Sequence, residues 1–217
     1  MQTNNLVFKD FKKKKRNKKI QKQLKEILNS KDQVIKSLSR QYNYSFKKKS
    51  IKKFKKFKEI RIFGMGGSAL GSKAIYDFLR NKIKKNFYFI SNLNKRNVFP
   101  KKEYLNLIIS KSGNTLETIV NSNIYINKKD KNILITENKS SILMDIGNKL
   151  KSEIVHHNNF IGGRYSVLSE VGMLPAEIMG LNESKFKQLN SLIKNKYFLS
   201  SMISNVSNIL EFIKKKK

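Results

Sequence analysis

The chain has 217 residues, enough to bury the core of one ordinary domain with appendages, and it contains no cysteine, so disulfides and thiolate metal sites are excluded. Its two histidines, His156 and His157, lack carboxylate partners at metal-ligand spacing, and no apolar run reaches the ~18 residues of a membrane span. The net charge of +32 comes from 41 lysines and only 6 arginines spread along the whole chain. Because specific readers of nucleic acid rely on arginine, we expect a solvated lysine surface on a cytoplasmic protein, without membrane, metal or nucleic-acid binding.

Residues 1–45 carry a helical pattern. Ile20, Leu24, Ile27 and Leu28 follow the i, i+4, i+7, i+8 spacing of one helix face. We therefore predict packing helices over this region.

The next segment, "KKKSIKKFKKFKEI" at 47–60, places Ile51, Phe54 and Phe57 three residues apart among lysines. This basic amphipathic pattern is compatible with a helix lying on a membrane or in a partner groove. The simpler interpretation, which we prefer, is a short surface helix that leads into a strand.

From residue 60 onwards, strand and helix patterns alternate along the chain. The strand segments are EIRIFGM, NFYFIS, YLNLIIS, KNILITE and, more weakly, EIVHH; the helical segments between them are SALGSKAIYDFLR, TLETIVNSNIYIN and SSILMDIGNKL. Short apolar strands separated by helices predict an α/β fold with a parallel sheet covered on both faces. Beyond residue 165 the pattern is helical with a kink or break at Pro175, and residues 184–213 predict one or two further helices.

The turn after the first strand, "GMGGSALGS" at 64–72, is rich in glycine. It departs from the dinucleotide fingerprint because Ala69 stands where the third glycine belongs, and from the P-loop because Ser72 precedes Lys73. What remains is a glycine-lined strand-to-helix turn with Ser68 at the start of the helix. Free backbone amides and the helix dipole make such a turn a general seat for anions.

A second loop, "SKSGNTLET" at 110–118, directly follows the strand YLNLII. Ser110, Ser112 and Thr115 offer three hydroxyls, and Gly113 allows a tight turn. An ordinary turn capped by Thr115 would have the same letters. Two such loops at strand ends of one sheet favour phosphate binding, because a phosphate takes several short hydrogen bonds from different directions.

These motifs carry a resemblance. The second loop resembles the sugar-phosphate signature of sugar isomerase (SIS) domains, and the first loop together with "GGRYSVLSEVGMLPAEIMG" at 162–180 is similar to the signatures of the glucose-6-phosphate isomerase family. The resemblance covers roughly residues 55–185. It implies a three-layer α-β-α, flavodoxin-like SIS domain at 56–185 between a helical region at 1–55 and helices at 186–217.

The resemblance also implies an activity and its residues: interconversion of glucose 6-phosphate and fructose 6-phosphate through a cis-enediol, in a homodimer without a cofactor. The residues implied to contact substrate are Gly67, Ser68, Ser110, Lys111, Ser112, Thr115, Gly163 and, as the catalytic residue, Arg164. A fixed cation would stabilise the enediolate oxygen. Without the motif, Arg164 would instead be expected to pair with a carboxylate such as Glu170 or Glu117.

The general base and the ring-opening histidine of this family lie in a second SIS domain downstream. Glu117, His156 and His157 do not match those positions, and the sequence ends at Lys217. We therefore expect an N-terminal half that does not isomerise by itself. The alternative is a free-standing SIS domain that senses a phosphosugar, although a sensor has no evident need for Arg164.

Overall fold

A five-stranded sheet forms the centre of the larger of two units into which the chain divides. The computed structural model describes residues 17–93, 98–187 and 195–215. The larger unit is Tyr42–Glu183, and the other combines Met1–Gln41 with Ser184–Lys217.

All neighbouring strands of the sheet are parallel, in the order β2-β1-β3-β4-β5. The strands are β1 Glu59–Phe63, β2 Asn86–Ile90, β3 Leu105–Ile109, β4 Lys131–Thr136 and β5 Glu153–His156. Every residue of β1 and β3 is buried, as expected for the central strands of a parallel sheet that is covered on both faces. The predicted α/β fold with a parallel sheet is confirmed.

Helices cover both faces of this sheet. Over both units, the helices that the structure describes are α1 Lys18–Leu28, α2 Gln33–Ser37, α3 Lys48–Ile51, α4 Gly67–Phe78, α5 Leu116–Tyr125, α6 Ile142–Lys149, α7 Glu170–Ile178, α8 Glu183–Phe186 and α9 Lys196–Lys215. The crossover from β1 to β2 runs opposite to those from β3 to β4 and β4 to β5. Since such crossovers are right-handed, α4 lies on one face and α5 and α6 on the other.

The side of the sheet that α5 and α6 cover has an apolar cluster towards the carboxyl ends of the strands. Phe63, Ile108 and Leu134 pair across three strands and pack with Leu143 of α6 and Tyr125 of α5. Burial of these side chains joins the two helices to the sheet.

The same face carries a buried polar ladder two residues earlier in each strand. Arg61 Nε donates to Asn106 Oδ1 at 2.9 Å, and Asn106 Nδ2 donates to Asn132 Oδ1 at 2.8 Å. The Arg61 guanidinium also pairs with Asp130 at 2.5 Å and lies 4.2 Å from the Tyr104 ring centroid. The ladder satisfies polar groups that burial would otherwise leave without partners.

The N-terminal region is helical only in part. Asn17 and Asp32 cap α1 and α2, but residues 38–46 are not helical, so the prediction of helix up to residue 45 is wrong there. The rings of Tyr42, Tyr44 and Phe46 lie against one another instead, with centroids 5.4 and 5.0 Å apart, and Phe46 is buried. This packing outweighs local helix propensity. The part of that prediction before residue 17 lies outside the described residues.

The basic segment 47–60 forms α3 and a 3₁₀ turn, Lys52–Phe54, and then enters β1. Ile51, Phe54 and Phe57 are all buried. The interpretation as a short surface helix leading into a strand is therefore confirmed, because the apolar side faces protein.

Of the kink or break predicted at Pro175, the break is wrong in position. Pro175 lies inside α7, and the interruption falls at Ser169, whose extended backbone separates α7 from a 3₁₀ segment, Gly163–Leu168. Ser169 N donates to Ser166 O at 3.0 Å and closes that segment. In the smaller unit, α9 is the amphipathic helix expected over 184–213. Among the helices that the structure describes, none is both long and apolar enough to cross a bilayer.

Candidate functional site

The two loops singled out in the sequence follow adjacent strands, β1 and β3, at the point where the strand order reverses. In open α/β sheets, this reversal leaves a crevice beyond the carboxyl ends of the strands, and ligands bind there. We call residues 64–67 the glycine loop and residues 110–115 the hydroxyl loop.

The glycine loop turns sharply from β1 into α4. Gly66 has a φ of +52°, which an L side chain rarely adopts, and it precedes the first residue of the helix. At Gly64, an added Cβ would lie 3.2 Å from the carbonyl oxygen of Ile109, at the end of β3. The half-buried Ser68 lies in the first turn of α4, and its own amide donates to Met65 O at 3.1 Å.

In the hydroxyl loop, the hydroxyl groups form hydrogen bonds within the loop itself. Ser110 Oγ and Thr115 Oγ1 lie 2.8 Å apart, and Gly113 N donates to Ser110 Oγ at 3.1 Å. Ser112 is exposed, and its Oγ accepts from Asn114 N at 3.2 Å. Thr115 stands at the N-cap of α5 as expected, but its hydroxyl makes no capping hydrogen bond and bonds to Ser110.

The first turn of α6 also holds the hydroxyl loop in place through two hydrogen bonds. Gly113 O accepts from Leu143 N at 3.0 Å, and Asn114 Oδ1 accepts from Ile142 N at 3.1 Å. Gly113 has a φ of +70°, and a Cβ there would collide with Ser141 Oγ. Sequence reasoning missed Asn114 as a second cap of α6, although the N-cap serine in "NKSSIL" marks the start of that helix.

The third motif lies directly against the glycine loop. A Cβ on Gly67 would collide with the carbonyl group of Gly163, and a Cβ on Gly71 would come within 2.9 Å of Val167 Cγ2. Backbone therefore touches backbone where Gly67 and Gly163 meet. This contact brings the segment that carries Arg164 to the start of α4.

Arg164 is exposed, and no described carboxylate, Glu170 and Glu117 included, lies within 4.0 Å of it as an ion pair. The carboxylate of Glu170 is buried and accepts from Tyr42 Oη at 3.0 Å and from Ser45 N at 3.2 Å. The expectation from residue type alone, a structural ion pair for Arg164, is therefore wrong. A cation at this position is available to an anionic ligand.

The side chain of Lys111, in the hydroxyl loop, contacts two other residues of the protein. Its Nζ donates to Asn159 O at 2.7 Å and lies 3.5 Å from Glu137 Oε1. Lys139 binds the same carboxylate at 2.6 Å, and this hydrogen bond lowers the pKa of Glu137. Sequence reasoning missed Glu137 and Asn159, because neither belongs to a motif.

The two histidines lie outside these loops. His157 is buried, and burial lowers its pKa; its Nδ1 lies 3.0 Å from Asn158 O. His156 is exposed at the end of β5. Among the described residues, no group of three or more histidine or acidic side chains could hold a metal ion.

Comparison with known proteins identifies the family to which these motifs belong. The family model for phosphoglucose isomerase matches residues 4–215. The chain belongs to the phosphoglucose isomerase family.

Relatives in this family extend well beyond the matched region. The chain is 35% identical over 184 residues to the glucose-6-phosphate isomerase of Borreliella afzelii, covering 69% of this chain and 34% of the relative. It is 34% identical over 163 residues to that of Methanocaldococcus jannaschii, covering 67% of this chain and 40% of the relative. The chain thus spans little more than a third of the length of the curated relatives it matches.

A solved structure shows the same fold. A hypothetical protein from Thermus thermophilus superposes with a TM-score of 0.64 at 18% identity, over 90% of this chain and 52% of that one. The family model and both of these relatives carry the names of isomerases.

Proposed function

We propose that this chain forms the phosphosugar-holding part of a glucose-6-phosphate isomerase, which interconverts glucose 6-phosphate and fructose 6-phosphate through a cis-enediol. The observation that carries the proposal is the contact between Gly67 and Gly163. It places the segment of Arg164, a cation that no described carboxylate pairs, against the glycine loop. The hydroxyl loop follows β3, the strand next to β1, so both anion-binding elements that an isomerase of a sugar phosphate requires open at the same edge of the sheet.

The hydroxyl loop holds the phosphate in this proposal. Ser110, Ser112 and Thr115, with the backbone amide of Lys111, supply hydrogen bonds from several directions. The preformed Ser110–Thr115 contact supports this role, because donors already in place lose little conformational freedom on binding. Gly67, at the end of the glycine loop, and Ser68, in the first turn of α4, contact the sugar in this proposal.

Arg164, beside Gly163, acts on the reacting carbons. The enediolate exists only along the reaction path, so a fixed cation there stabilises the transition state more than bound substrate. The absence of a carboxylate partner among the described residues supports this role, because the guanidinium charge remains available to the ligand.

The isolated chain binds phosphosugar without turning it over, because the candidate site holds hydroxyls, amides and one cation but no assigned general base. In this proposal residues 56–185 are the SIS domain. Action as a homodimer, in glycolysis and gluconeogenesis in the cytoplasm, rests on family membership alone. A free-standing phosphosugar sensor gains no support from the family match.

Titration with fructose 6-phosphate tests the phosphate assignment. Thr115→Val keeps the shape of the side chain and removes its hydroxyl, so we expect roughly 10- to 100-fold weaker binding, the usual cost of a hydrogen bond to a charged group. The matched control is Thr118→Val, the same substitution at a buried hydroxyl one turn further along α5.

Isothermal titration calorimetry measures both variants against the unchanged chain. Equal affinity in Thr115→Val and Thr118→Val would contradict the assignment of the hydroxyl loop. Failure of the unchanged chain to bind either fructose 6-phosphate or orthophosphate would contradict the proposed function as a whole.

A further inference from the structure

The Lys111 side chain connects two loops that are far apart in the sequence. Its backbone belongs to the hydroxyl loop, and its ammonium donates to the carbonyl oxygen of Asn159, 48 residues further along the chain. The side chain is 33% exposed, so the surrounding packing alone does not fix its position. We call residues 158–164 the arginine turn.

Glu137 fixes the ammonium from the other side. It directly follows β4, its side chain is only 10% exposed, and its Oε1 lies 3.5 Å from Lys111 Nζ. The backbone of the two residues is joined as well, since Glu137 N donates to Lys111 O at 3.2 Å. The attraction of this buried carboxylate stabilises the ammonium beside Asn159.

Hydrogen bonds within the arginine turn link the position of Asn159 to that of Arg164. Ile161 N donates to Asn158 O at 3.2 Å, and Phe160 N donates to Asn158 Oδ1 at 2.9 Å, which closes the turn around Asn159. The 3₁₀ segment that carries Arg164 follows at once, with Tyr165 N donating to Gly162 O at 2.9 Å. These three hydrogen bonds, together with the burial of Ile161, hold the backbone between Asn159 and Arg164 in place.

We propose that Lys111 is a positioning residue whose ammonium ties the hydroxyl loop to the arginine turn, and that Glu137 is the counter-ion that keeps it there. A phosphosugar gripped by the hydroxyl loop then meets Arg164 at a fixed separation. Two of the three donors of the ammonium face Asn159 and Glu137, so in this inference the Lys111 side chain positions the turn, and the hydroxyls and amides of the hydroxyl loop bind the phosphate. This inference deepens the proposed function and rests on it for the role of Arg164.

Hydrogen exchange of the 217-residue chain, with and without orthophosphate, tests the tie. In unliganded Lys111→Met, the amides of residues 159–164 should exchange about tenfold faster, because a charge-assisted hydrogen bond to that turn is lost. Lys111→Arg should restore their protection, and Glu137→Gln should give an intermediate effect. The matched control is Lys139→Met, which removes the other ammonium on Glu137 but none that reaches Asn159.

Orthophosphate adds a second measurement. In the unchanged chain it should protect both the hydroxyl loop and residues 159–164, whereas in Lys111→Met it should protect the hydroxyl loop alone. Unaltered exchange of residues 159–164 in unliganded Lys111→Met would overturn the inference. So would a tenfold loss of phosphate affinity without any change in that turn, which would make Lys111 a phosphate ligand.

The two proposals fail in different ways. If orthophosphate protects nothing in the unchanged chain, the proposed function fails, while the comparison of unliganded variants still decides whether the tie exists.

Discussion

At Thr115 the sequence predicts the position of the residue correctly and the hydrogen-bond partner of its hydroxyl wrongly. The letters predict a helix cap at Thr115, and the residue does stand at the N-cap of α5. Its hydroxyl nevertheless bonds to Ser110 Oγ at 2.8 Å. The first turn of α5 therefore keeps amides that no side chain occupies, which suits a loop meant for an anion.

Gly67 gives a prediction at the same scale. A Cβ at this position would collide with the carbonyl group of Gly163, and backbone cannot move aside as a flexible side chain can. Gly67→Ala should therefore lower the free energy of unfolding by about 1 to 3 kcal/mol, the usual cost of overpacking, and weaken fructose 6-phosphate binding. Urea denaturation and calorimetric titration measure the two effects.

Gly162→Ala is the control for this prediction, because its added Cβ would meet only Tyr165 Cδ2, at an ordinary 3.9 Å. If Gly67→Ala were as stable as Gly162→Ala and bound as tightly, the glycine loop and the arginine turn would not be in the contact described.

At the scale of elements, sequence patterns predict what is local and miss what joins distant segments. The alternation of apolar strand and helix patterns predicts the parallel sheet, the glycine loop and the hydroxyl loop, because each pattern lies within about ten residues. The tie from Lys111 to Asn159 and the bond from Tyr42 to Glu170 span 48 and 128 residues. No periodicity encodes such pairs, so neither the role of Glu137 nor the non-helical stretch at 38–46 was predictable.

The polar ladder through β1, β3 and the start of β4 gives a prediction of this kind. Arg61→Leu should cost about 3 to 5 kcal/mol of unfolding free energy, because it leaves the carboxylate of Asp130 buried at 1% exposure without its counter-ion. Adding Asp130→Asn to the same chain should recover part of the loss. Chemical denaturation of the single and double variants measures both.

A loss below about 1 kcal/mol in Arg61→Leu would contradict this account of the ladder. A double variant less stable than the single one would show that Asp130 matters mainly for its bonds to the backbone amides of Tyr104 and Asn127.

At the scale of the whole molecule, we predict binding without turnover. The chain spans little more than a third of the length of its relatives, and the candidate site includes no general base, a group that contributes about 10²- to 10⁴-fold to such proton transfers. A coupled assay with glucose 6-phosphate should give no rate above background, although fructose 6-phosphate binds. A complete glucose-6-phosphate isomerase is the positive control.

Turnover that rises in proportion to chain concentration and disappears in Arg164→Ala would contradict this division of labour. It would assign the base to a residue within these 217 positions, and Glu117, in the first turn of α5, would be the first to substitute.

The strand order has a consequence for the chain as it is being made. β1 pairs with both β2 and β3, but β3 begins about 40 residues after β1 ends, so at ordinary rates of synthesis one edge of β1 waits about 2 to 8 s for its partner. An open apolar edge of this kind recruits the same edge of another nascent chain. The surplus of lysine gives such an intermediate a large positive charge, and this charge opposes the pairing of two open edges at the short distances where they would meet.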